Sequence, residues 1–196
     1  MKRGKLIVFY GINNLGKSTQ AKLLVARLNS EGKSAQYIKY PVYDLKPSGP
    51  IINAYLREGN PYKLAAREAQ ILYAYNRMHF EPKLIEILEN GTHVITEDYW
   101  GTGVAWGVGA GVDLDFLLMI NKPFQWEDLA LLFVGKRFDS GKEKGHLHED
   151  DDAFMEKVRK THDNLGERFG WKNIHANGTI EQIAQDIWKE VGGIIK

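Results

Sequence analysis

The segment GINNLGKST, residues 11–19, places glycines, a lysine and two hydroxyl side chains at a spacing that suits phosphate binding. It fits the pattern G-x-x-x-x-G-K-[ST] in full, from Gly11 to Ser18. In such a loop the backbone N–H groups surround phosphate oxygens, the lysine reaches the β- and γ-phosphates, and the hydroxyl coordinates Mg²⁺. The segment therefore predicts an ATP or GTP site with Mg²⁺ as cofactor and Lys17 as a catalytic residue. The predicted nucleotide-binding residues are Gly11, Asn13, Asn14, Leu15, Gly16, Lys17, Ser18 and Thr19.

Two other classes of protein with this loop are disfavoured. A GTPase requires an Asn-Lys-x-Asp guanine reader, whereas the segment NKPF has Phe124 where the acid is needed. A motor or transporter ATPase is ordinarily larger than 196 residues and carries further signature elements. The remaining class is a small kinase, which transfers the phosphoryl group to a bound acceptor beneath a lid that excludes water.

The elements that must position this loop follow the pattern of a parallel sheet covered by helices on both faces. Short apolar runs alternate with helical segments, which predicts an α/β fold. Strands are predicted at residues 5–11, 35–40, 93–97, 129–135 and 172–176. Helices are predicted from Gly16 to Asn29, over residues 62–90 with a kink or break near Phe80 caused by Pro82, and from a capping box at Thr179 and Gln182 onward. We expect one domain, residues 1–196, with Asn90-Gly91 ending the long helix.

Two segments lack a regular pattern. Residues 100–111 contain five glycines, which we interpret as too many for a helix interior or a packed strand. Residues 136–152 are almost wholly polar and carry both charges, and we predict that they form a lid.

Composition excludes several kinds of chemistry. The chain has no cysteine, so disulfides, thiolate metal sites and cysteine nucleophiles are absent. Its net charge of +1 provides no broad field that would recruit nucleic acid or a membrane surface. The apolar run LIVFY is only five residues long and leads into the glycine loop, so it resembles neither a leader peptide nor a membrane span. We therefore expect a cytoplasmic protein that binds small molecules.

Over nearly its whole length the chain resembles the thymidylate kinase family. Besides the phosphate-binding loop, the similar segments are IINAYLREGNP, ILYAYNRMHFEPKLIEILENG, EDYWGTGVAWGVGAG and GTIEQIAQDIWKEV. The resemblance implies a P-loop NTPase fold with three layers (α/β/α), a five-stranded parallel sheet in the order 2-3-1-4-5, a lid and a homodimer. It also implies ATP-dependent phosphorylation of a deoxynucleoside monophosphate, with dTMP as the expected acceptor.

The resemblance also assigns the acceptor site. Tyr73 would stack on the acceptor base, and Arg77, one helical turn later, would hydrogen-bond a base oxygen. Gly103 would let the backbone approach the acceptor, and Trp106 would flank it. Tyr73 and Trp106 are equally compatible with core positions, whereas an arginine on an apolar helical stripe favours a role in binding. The predicted acceptor-binding residues are Lys39, Tyr73, Arg77, Asp98, Tyr99, Gly103 and Trp106.

The chain departs from the family pattern Asp-Arg-Tyr, because Glu97, Asp98 and Tyr99 stand there. The family arginine contacts phosphate, and a carboxylate about 4 Å from a phosphate would cost about 4 kcal/mol at an effective dielectric of 20. Asp98 is therefore expected to face Mg²⁺, a cation or a sugar hydroxyl. Since successive strand residues point to opposite faces, we expect only one of the two acids in the site. Glu97 is predicted as a catalytic residue on the side of Mg²⁺ or its water ligands and, with Ser18, as a metal ligand.

Other departures concern cations. The family has an aspartate where Asn13 stands. It also has a second arginine after the second strand, whereas this chain offers only Lys39 and Lys46 as cations there. Because residues 13–15 carry no charge, the catalytic cation is expected from the lid. The lid candidates are Arg137 first, then Lys142 and Lys144. In the same segment, His146 and His148 lie beside four acids, but a solvated lid is preferred to a metal site.

Two alternative functions remain open. A deoxynucleoside kinase fits the loss of two arginines and the gain of carboxylates, since a hydroxyl acceptor benefits from a nearby base. A nucleotide-binding regulator without catalysis is disfavoured by the intact Lys17-Ser18 pair and by the cations of the lid.

Overall fold

Five parallel strands form one sheet in the order β2-β3-β1-β4-β5 in the computed structural model, which describes residues 2–138 and 151–195. The strands are β1 (Leu6–Tyr10), β2 (Ala35–Lys39), β3 (His93–Glu97), β4 (Leu129–Val134) and β5 (Lys172–His175). Every residue of β1 is buried, because this central strand is covered on both faces. The five predicted strands and the predicted strand order are confirmed, with boundaries that differ by one residue at most.

The helices form two layers around the sheet. They are α1 (Lys17–Ser30), α2 (Ser48–Arg57), α3 (Ala66–Glu89), α4 (Trp100–Gly109), α5 (Leu114–Asn121), α6 (Asp152–Phe169) and α7 (Ile180–Gly192). In one layer α1 packs against α7, and in the other α4 contacts α3, α5 and α6. The predicted capping box of α7 is confirmed, since Thr179 Oγ1 accepts from the backbone of Gln182 and Gln182 Oε1 accepts from that of Thr179. Asn90 caps α3 as predicted.

Of the two outcomes expected at Pro82, a kink or a break, the break is wrong. Pro82 lies inside α3, which continues to Glu89 without interruption. Leu84 and Leu88, both fully buried, pack into the main core after the proline. Burying these two side chains contributes about 1.5–3 kcal/mol each, which offsets the hydrogen bond that the proline removes.

The interpretation of residues 100–111 as non-helical is also wrong, because most of the segment forms α4. Its glycines are needed where neighbours approach closely. A Cβ atom at Gly101 would lie 2.5 Å from Trp171, and one at Gly109 would lie 2.7 Å from Val158. Tight packing against other elements therefore stabilises a helix whose own propensity is poor.

Within residues 2–138 and 151–195, no helix combines the length and the apolar character needed to cross a membrane.

Candidate active site

A cleft of about 730 Å³ opens beyond the carboxyl ends of β1, β2 and β3. This edge of a parallel sheet is the usual place for ligands, because helix N-termini and loops meet there. Of the predicted site residues, those that line the cleft are Asn13, Asn14, Leu15, Gly16, Lys17, Ser18, Thr19, Lys39, Tyr73, Arg77, Glu97, Asp98, Tyr99, Gly103 and Trp106. Gly11 and Arg137, although both are described, lie outside its lining. One cleft thus contains both the nucleotide-binding loop and the predicted acceptor residues.

The loop between β1 and α1 has the tight backbone that phosphate binding requires. Gly11 and Gly16 have φ angles of 125° and 78°, and a Cβ atom at Gly11 would lie 2.7 Å from the carbonyl oxygen of Phe133. Only glycine adopts such a conformation readily. Lys17 is buried at the start of α1, and its Nζ donates to the carbonyl oxygens of Gly11 and Ile12, each at 2.9 Å. The ammonium group is therefore held beside the loop that would surround the phosphates.

Glu97 at the end of β3 is held by three side chains. Ser18 Oγ and the Tyr37 hydroxyl donate to its Oε2 at 2.5 and 2.6 Å, and Lys39 Nζ lies 3.2 Å from its Oε1. Burial raises the pKa of Glu97, but the charges of Lys17 and Lys39 and the two hydrogen bonds outweigh burial, so its pKa lies below the ordinary value. Glu97 is therefore a carboxylate at neutral pH, next to the predicted Ser18 ligand.

Asp98 also enters the cleft, so the expectation that only one of the two acids would do so is wrong. Its φ angle of 62° lies outside the extended range, and the alternation of side chains ends with the strand. Asp98 Oδ1 lies 3.8 Å from Lys17 Nζ and accepts from Thr102 Oγ1 at 3.0 Å. Burial raises the pKa of Asp98, and the charge of Lys17 opposes this. The residue thus faces a cation, which is one of the three environments expected for it.

Arg77 lies on the cleft side of α3 and is 4% exposed. Its Nη2 donates to Asn121 Oδ1 at 2.6 Å, and its guanidinium carbon lies 5.6 Å from the centre of the Phe124 ring. A Cβ atom at Gly103 would lie 3.2 Å from Nη2, so this glycine makes room for the guanidinium group. Burial lowers the pKa of Arg77 to about 10, which leaves the side chain charged at neutral pH. The segment NKPF, which fails as a guanine reader, thus orients Arg77.

Tyr73 and Trp106 each pack against neighbouring side chains and also line the cleft. Tyr73 packs against the small cluster of Ile52, Tyr55, Leu56 and Ala69 and also lines the cleft. Trp106 packs against Phe154, with ring centres 5.6 Å apart, and lines the cleft as well.

The cations that line the cleft are not quite those expected. Lys39 lines the cleft, but Lys46 is exposed and outside the lining. Arg57, at the end of α2, lines the cleft with its guanidinium carbon 4.9 Å from the centre of the Tyr43 ring. Arg57 was not predicted, because it lies one helix beyond the segment in which the family arginine was expected.

The start of the predicted lid is attached to the nucleotide-binding loop. The backbone N–H of Phe138 donates to the carbonyl oxygen of Asn14 at 2.8 Å, and the side chain of Asn177 exchanges two hydrogen bonds with the backbone of Lys136. Arg137 between them is half-buried. The other lid candidates, Lys142, Lys144, His146 and His148, lie outside the described residues.

Fold and site together define a protein of the P-loop class, in which the phosphate-binding loop and the predicted acceptor residues line one cleft. A family model described as thymidylate kinase matches residues 9–187, so the chain belongs to the thymidylate kinase family. Thymidylate kinase of Dictyostelium discoideum is 29% identical over 190 residues, covering 95% of this chain and 84% of the relative. Thymidylate kinase of Homo sapiens is 27% identical over 191 residues, covering 95% and 89%.

Among solved structures, thymidylate kinase from Candida albicans superposes with a TM-score of 0.83. It is 24% identical and covers 97% of this chain and 92% of its own. At this identity the likeness concerns the fold, and it agrees with the sheet order and flanking helices described above.

Proposed function

We propose that this chain transfers the γ-phosphoryl group of ATP to dTMP, giving dTDP and ADP. The observation that carries the proposal is the single cleft in which Lys17 and the buried Arg77 both lie. A P-loop alone would fit any nucleotide-binding protein, whereas a second polar pocket in the same cleft provides for an acceptor. Membership of the thymidylate kinase family supports dTMP as that acceptor.

The donor side would act by positioning and by neutralising charge. Phosphoryl transfer needs little covalent help, and an acceptor phosphate is already a competent nucleophile. Lys17 would bind the β- and γ-phosphates, and Arg137 at the start of the lid would contribute the second cation. The hydrogen bond from Phe138 to Asn14 supports this, because it ties the segment around Arg137 to the P-loop. The two hydrogen bonds between Asn177 and Lys136 hold the same segment to the loop after β5.

Ser18 and Glu97 suit Mg²⁺, which prefers oxygen ligands and is often bound by one or two carboxylates with substrate phosphates. Their oxygens are adjacent, and the low pKa of Glu97 keeps it charged. Mg²⁺ bound there would neutralise phosphate charge. Ser18 and Glu97 would hold the ion, and Tyr37 and Lys39 would hold Glu97 in place.

The acceptor side would be built on α3 and α4. Tyr73 would stack on the base, Arg77 would donate to a base oxygen, and Trp106 would flank the ring. Gly103 supports this arrangement, since the space beside it is what admits the Arg77 guanidinium group. Lys39, Asp98 and Tyr99 line the cleft nearer the P-loop and would contact the sugar and phosphate of the acceptor.

A homodimer is proposed as the assembly. An exposed apolar surface, called the α3 stripe here, consists of Ile71, Tyr75, Met78 and Ile85. These residues repeat at helical spacing, and Ile71 and Met78 are 50% and 53% exposed. Contiguous apolar surface of this kind is typical of a protein interface.

A coupled assay that measures ADP release tests the proposed function, with dTMP and thymidine offered separately as acceptors. We expect turnover with dTMP and not with thymidine, and we expect Lys17→Ala to reduce it to the blank. Turnover of thymidine alone would overturn the proposal and would favour a nucleoside kinase, since Asp98 is a buried carboxylate in the cleft that could act as a base. ATP binding without turnover of either acceptor would favour a regulator.

A further inference from the structure

Gln70 is a polar residue of the cleft that neither the sequence pattern nor the proposed chemistry uses. It lies on α3, three residues before Tyr73 and seven before Arg77, so the three side chains follow one another along a single face. Gln70 is 5% exposed and lines the same cleft as the other two.

Glycines of α4 make room for both polar side chains of this face. A Cβ atom at Gly107 would lie 3.1 Å from Gln70 Cδ, just as one at Gly103 would lie 3.2 Å from Arg77 Nη2. Residues four apart on a helix are about 6 Å apart along its axis. The amide of Gln70 and the guanidinium of Arg77 therefore meet α4 at points about one helical turn apart.

Both side chains have unused hydrogen-bonding capacity. Among the described residues, Gln70 Oε1 and Arg77 Nε are buried and have no hydrogen-bond partner. Leaving such a group unpaired costs about 1–3 kcal/mol, and buried polar groups in native proteins are nearly always paired. Five of the described residues that line the cleft carry such an atom, and Gln70 and Arg77 are the two that meet the glycines of α4. One is an unpaired acceptor and the other an unpaired donor, a pair that a ligand carrying both characters would complete.

We propose that Gln70 reads the imide edge of the acceptor base, accepting from the ring N3–H while Arg77 donates to the adjacent carbonyl oxygen. Arginine only donates, so it selects a carbonyl group, whereas the amide of glutamine both accepts and donates. A 4-oxo pyrimidine such as thymine or uracil presents an N–H between two carbonyl oxygens. Gln70 is thus a specificity-determining residue, and this inference rests on the proposed function.

The test compares dTMP with N3-methyl-dTMP, which lacks the imide hydrogen, on the parent enzyme and on Gln70→Ala. The parent should lose about 100-fold or more in kcat/KM with the methylated acceptor, since a bond is lost and Gln70 is obstructed. Gln70→Ala should raise KM for dTMP about tenfold, and its loss on methylation should shrink to below about tenfold, because the group that senses N3 is gone. The coupling between residue and substrate atom is a readout that a purely structural role would not produce.

Gln20 provides a matched control, because it is a second buried glutamine in the cleft whose Nε2 donates to the carbonyl oxygen of Ile180. Gln20→Ala should retain the full penalty for methylation, whatever its effect on turnover. An equal penalty in the parent and in Gln70→Ala would overturn the inference while leaving the proposed function intact. Absence of dTMP turnover by the parent would instead mean that the proposed function fails.

Discussion

Glu97 is held as a carboxylate by side chains from two neighbouring elements. Ser18 belongs to α1, Tyr37 and Lys39 belong to β2, and all three contact the carboxylate at the end of β3. These side chains and the nearby charge of Lys17 oppose burial, which by itself favours the protonated acid, a poor ligand for Mg²⁺. The protonation state of Glu97 thus depends on side chains of the adjacent strand and helix as much as on the burial of Glu97 itself.

Tyr37→Phe tests this dependence at the residue scale. The variant removes a hydrogen bond that lowers the pKa of Glu97, so that pKa should rise. If Glu97 binds Mg²⁺ as proposed, its protonated form would be inactive, so the acid limb of kcat/KM for dTMP should move to higher pH. Turnover at neutral pH should fall about two- to tenfold, since one hydrogen bond contributes about 0.5–1.5 kcal/mol. Steady-state rates across the acidic and neutral range measure both effects.

The control is Tyr62→Phe, which removes a hydroxyl from a tyrosine that is 60% exposed. The pH–rate profile of Tyr62→Phe should superpose on that of the parent. A Tyr37→Phe profile that also superposes on it would contradict a role for Tyr37 in holding Glu97.

How far single residues could be predicted depended on how local their contacts are. The P-loop motif specified Lys17 and Ser18, and the alternation of β2 would have placed Tyr37 beside Lys39 on one face. The hydrogen bond from Arg77 to Asn121 joins residues 44 apart in two helices, so no local pattern could indicate it. Asp98 was misjudged because its left-handed backbone is not visible in a strand pattern.

At the scale of elements, α4 shows that tertiary packing can outweigh a low helix propensity. Each glycine costs a helix about 1 kcal/mol, which is why the segment was not predicted as helical. Yet Gly101 and Gly109 allow α4 to pack against Trp171 and Val158, while Gly103 and Gly107 admit side chains of α3. The strands, by contrast, were predictable from their apolar runs, and their order followed only from the family resemblance. The periodicity of apolar residues indicates which face of an element is buried. It does not indicate where two helices approach closely, because that depends on the whole fold.

Gly101→Ala and Gly192→Ala form a matched pair that tests this balance. A Cβ atom at Gly101 would meet Trp171 at 2.5 Å, and overpacking of this kind costs about 1–3 kcal/mol, more than the gain in helix propensity. Gly192, the last residue of α7, has no neighbouring atom within 4 Å of the added group. Urea unfolding should show Gly101→Ala destabilised and Gly192→Ala unchanged or slightly stabilised. A Gly101→Ala protein as stable as Gly192→Ala would refute the packing explanation.

At the scale of the whole molecule, one buried histidine couples the region behind the P-loop to acid stability. His162 of α6 lines a second cavity of about 300 Å³ together with Gly11 and Ile12, and its Nδ1 lies 3.0 Å from the carbonyl oxygen of Val158. Burial, followed by the charge of Lys17, lowers the pKa of His162 to about 3. The folded protein thus keeps this side chain neutral.

The free energy of unfolding should fall as pH drops from about 6.5, the ordinary pKa of histidine, towards the folded value of about 3. In that window the unfolded chain binds more protons than the folded one, so His162 contributes up to about 1.4 kcal/mol per pH unit. His162→Gln removes this titration and should show a shallower slope than the parent. Its stability at neutral pH should be lower, because the substitution alters the packing. Chemical denaturation at several pH values measures both slopes, and equal slopes would contradict the assignment.

The proposed homodimer can be tested by placing a charge in the α3 stripe. Burying a charge in an apolar interface without a partner costs several kcal/mol, so Met78→Glu should raise the dissociation constant of the proposed homodimer by about 100-fold or more. Light scattering coupled to size-exclusion chromatography should give twice the chain mass for the parent and a single chain for Met78→Glu. Met119→Glu, on α5 and 62% exposed, is the control and should stay dimeric. A monomeric parent would refute the homodimer, and a dimeric Met78→Glu would place the interface away from the α3 stripe.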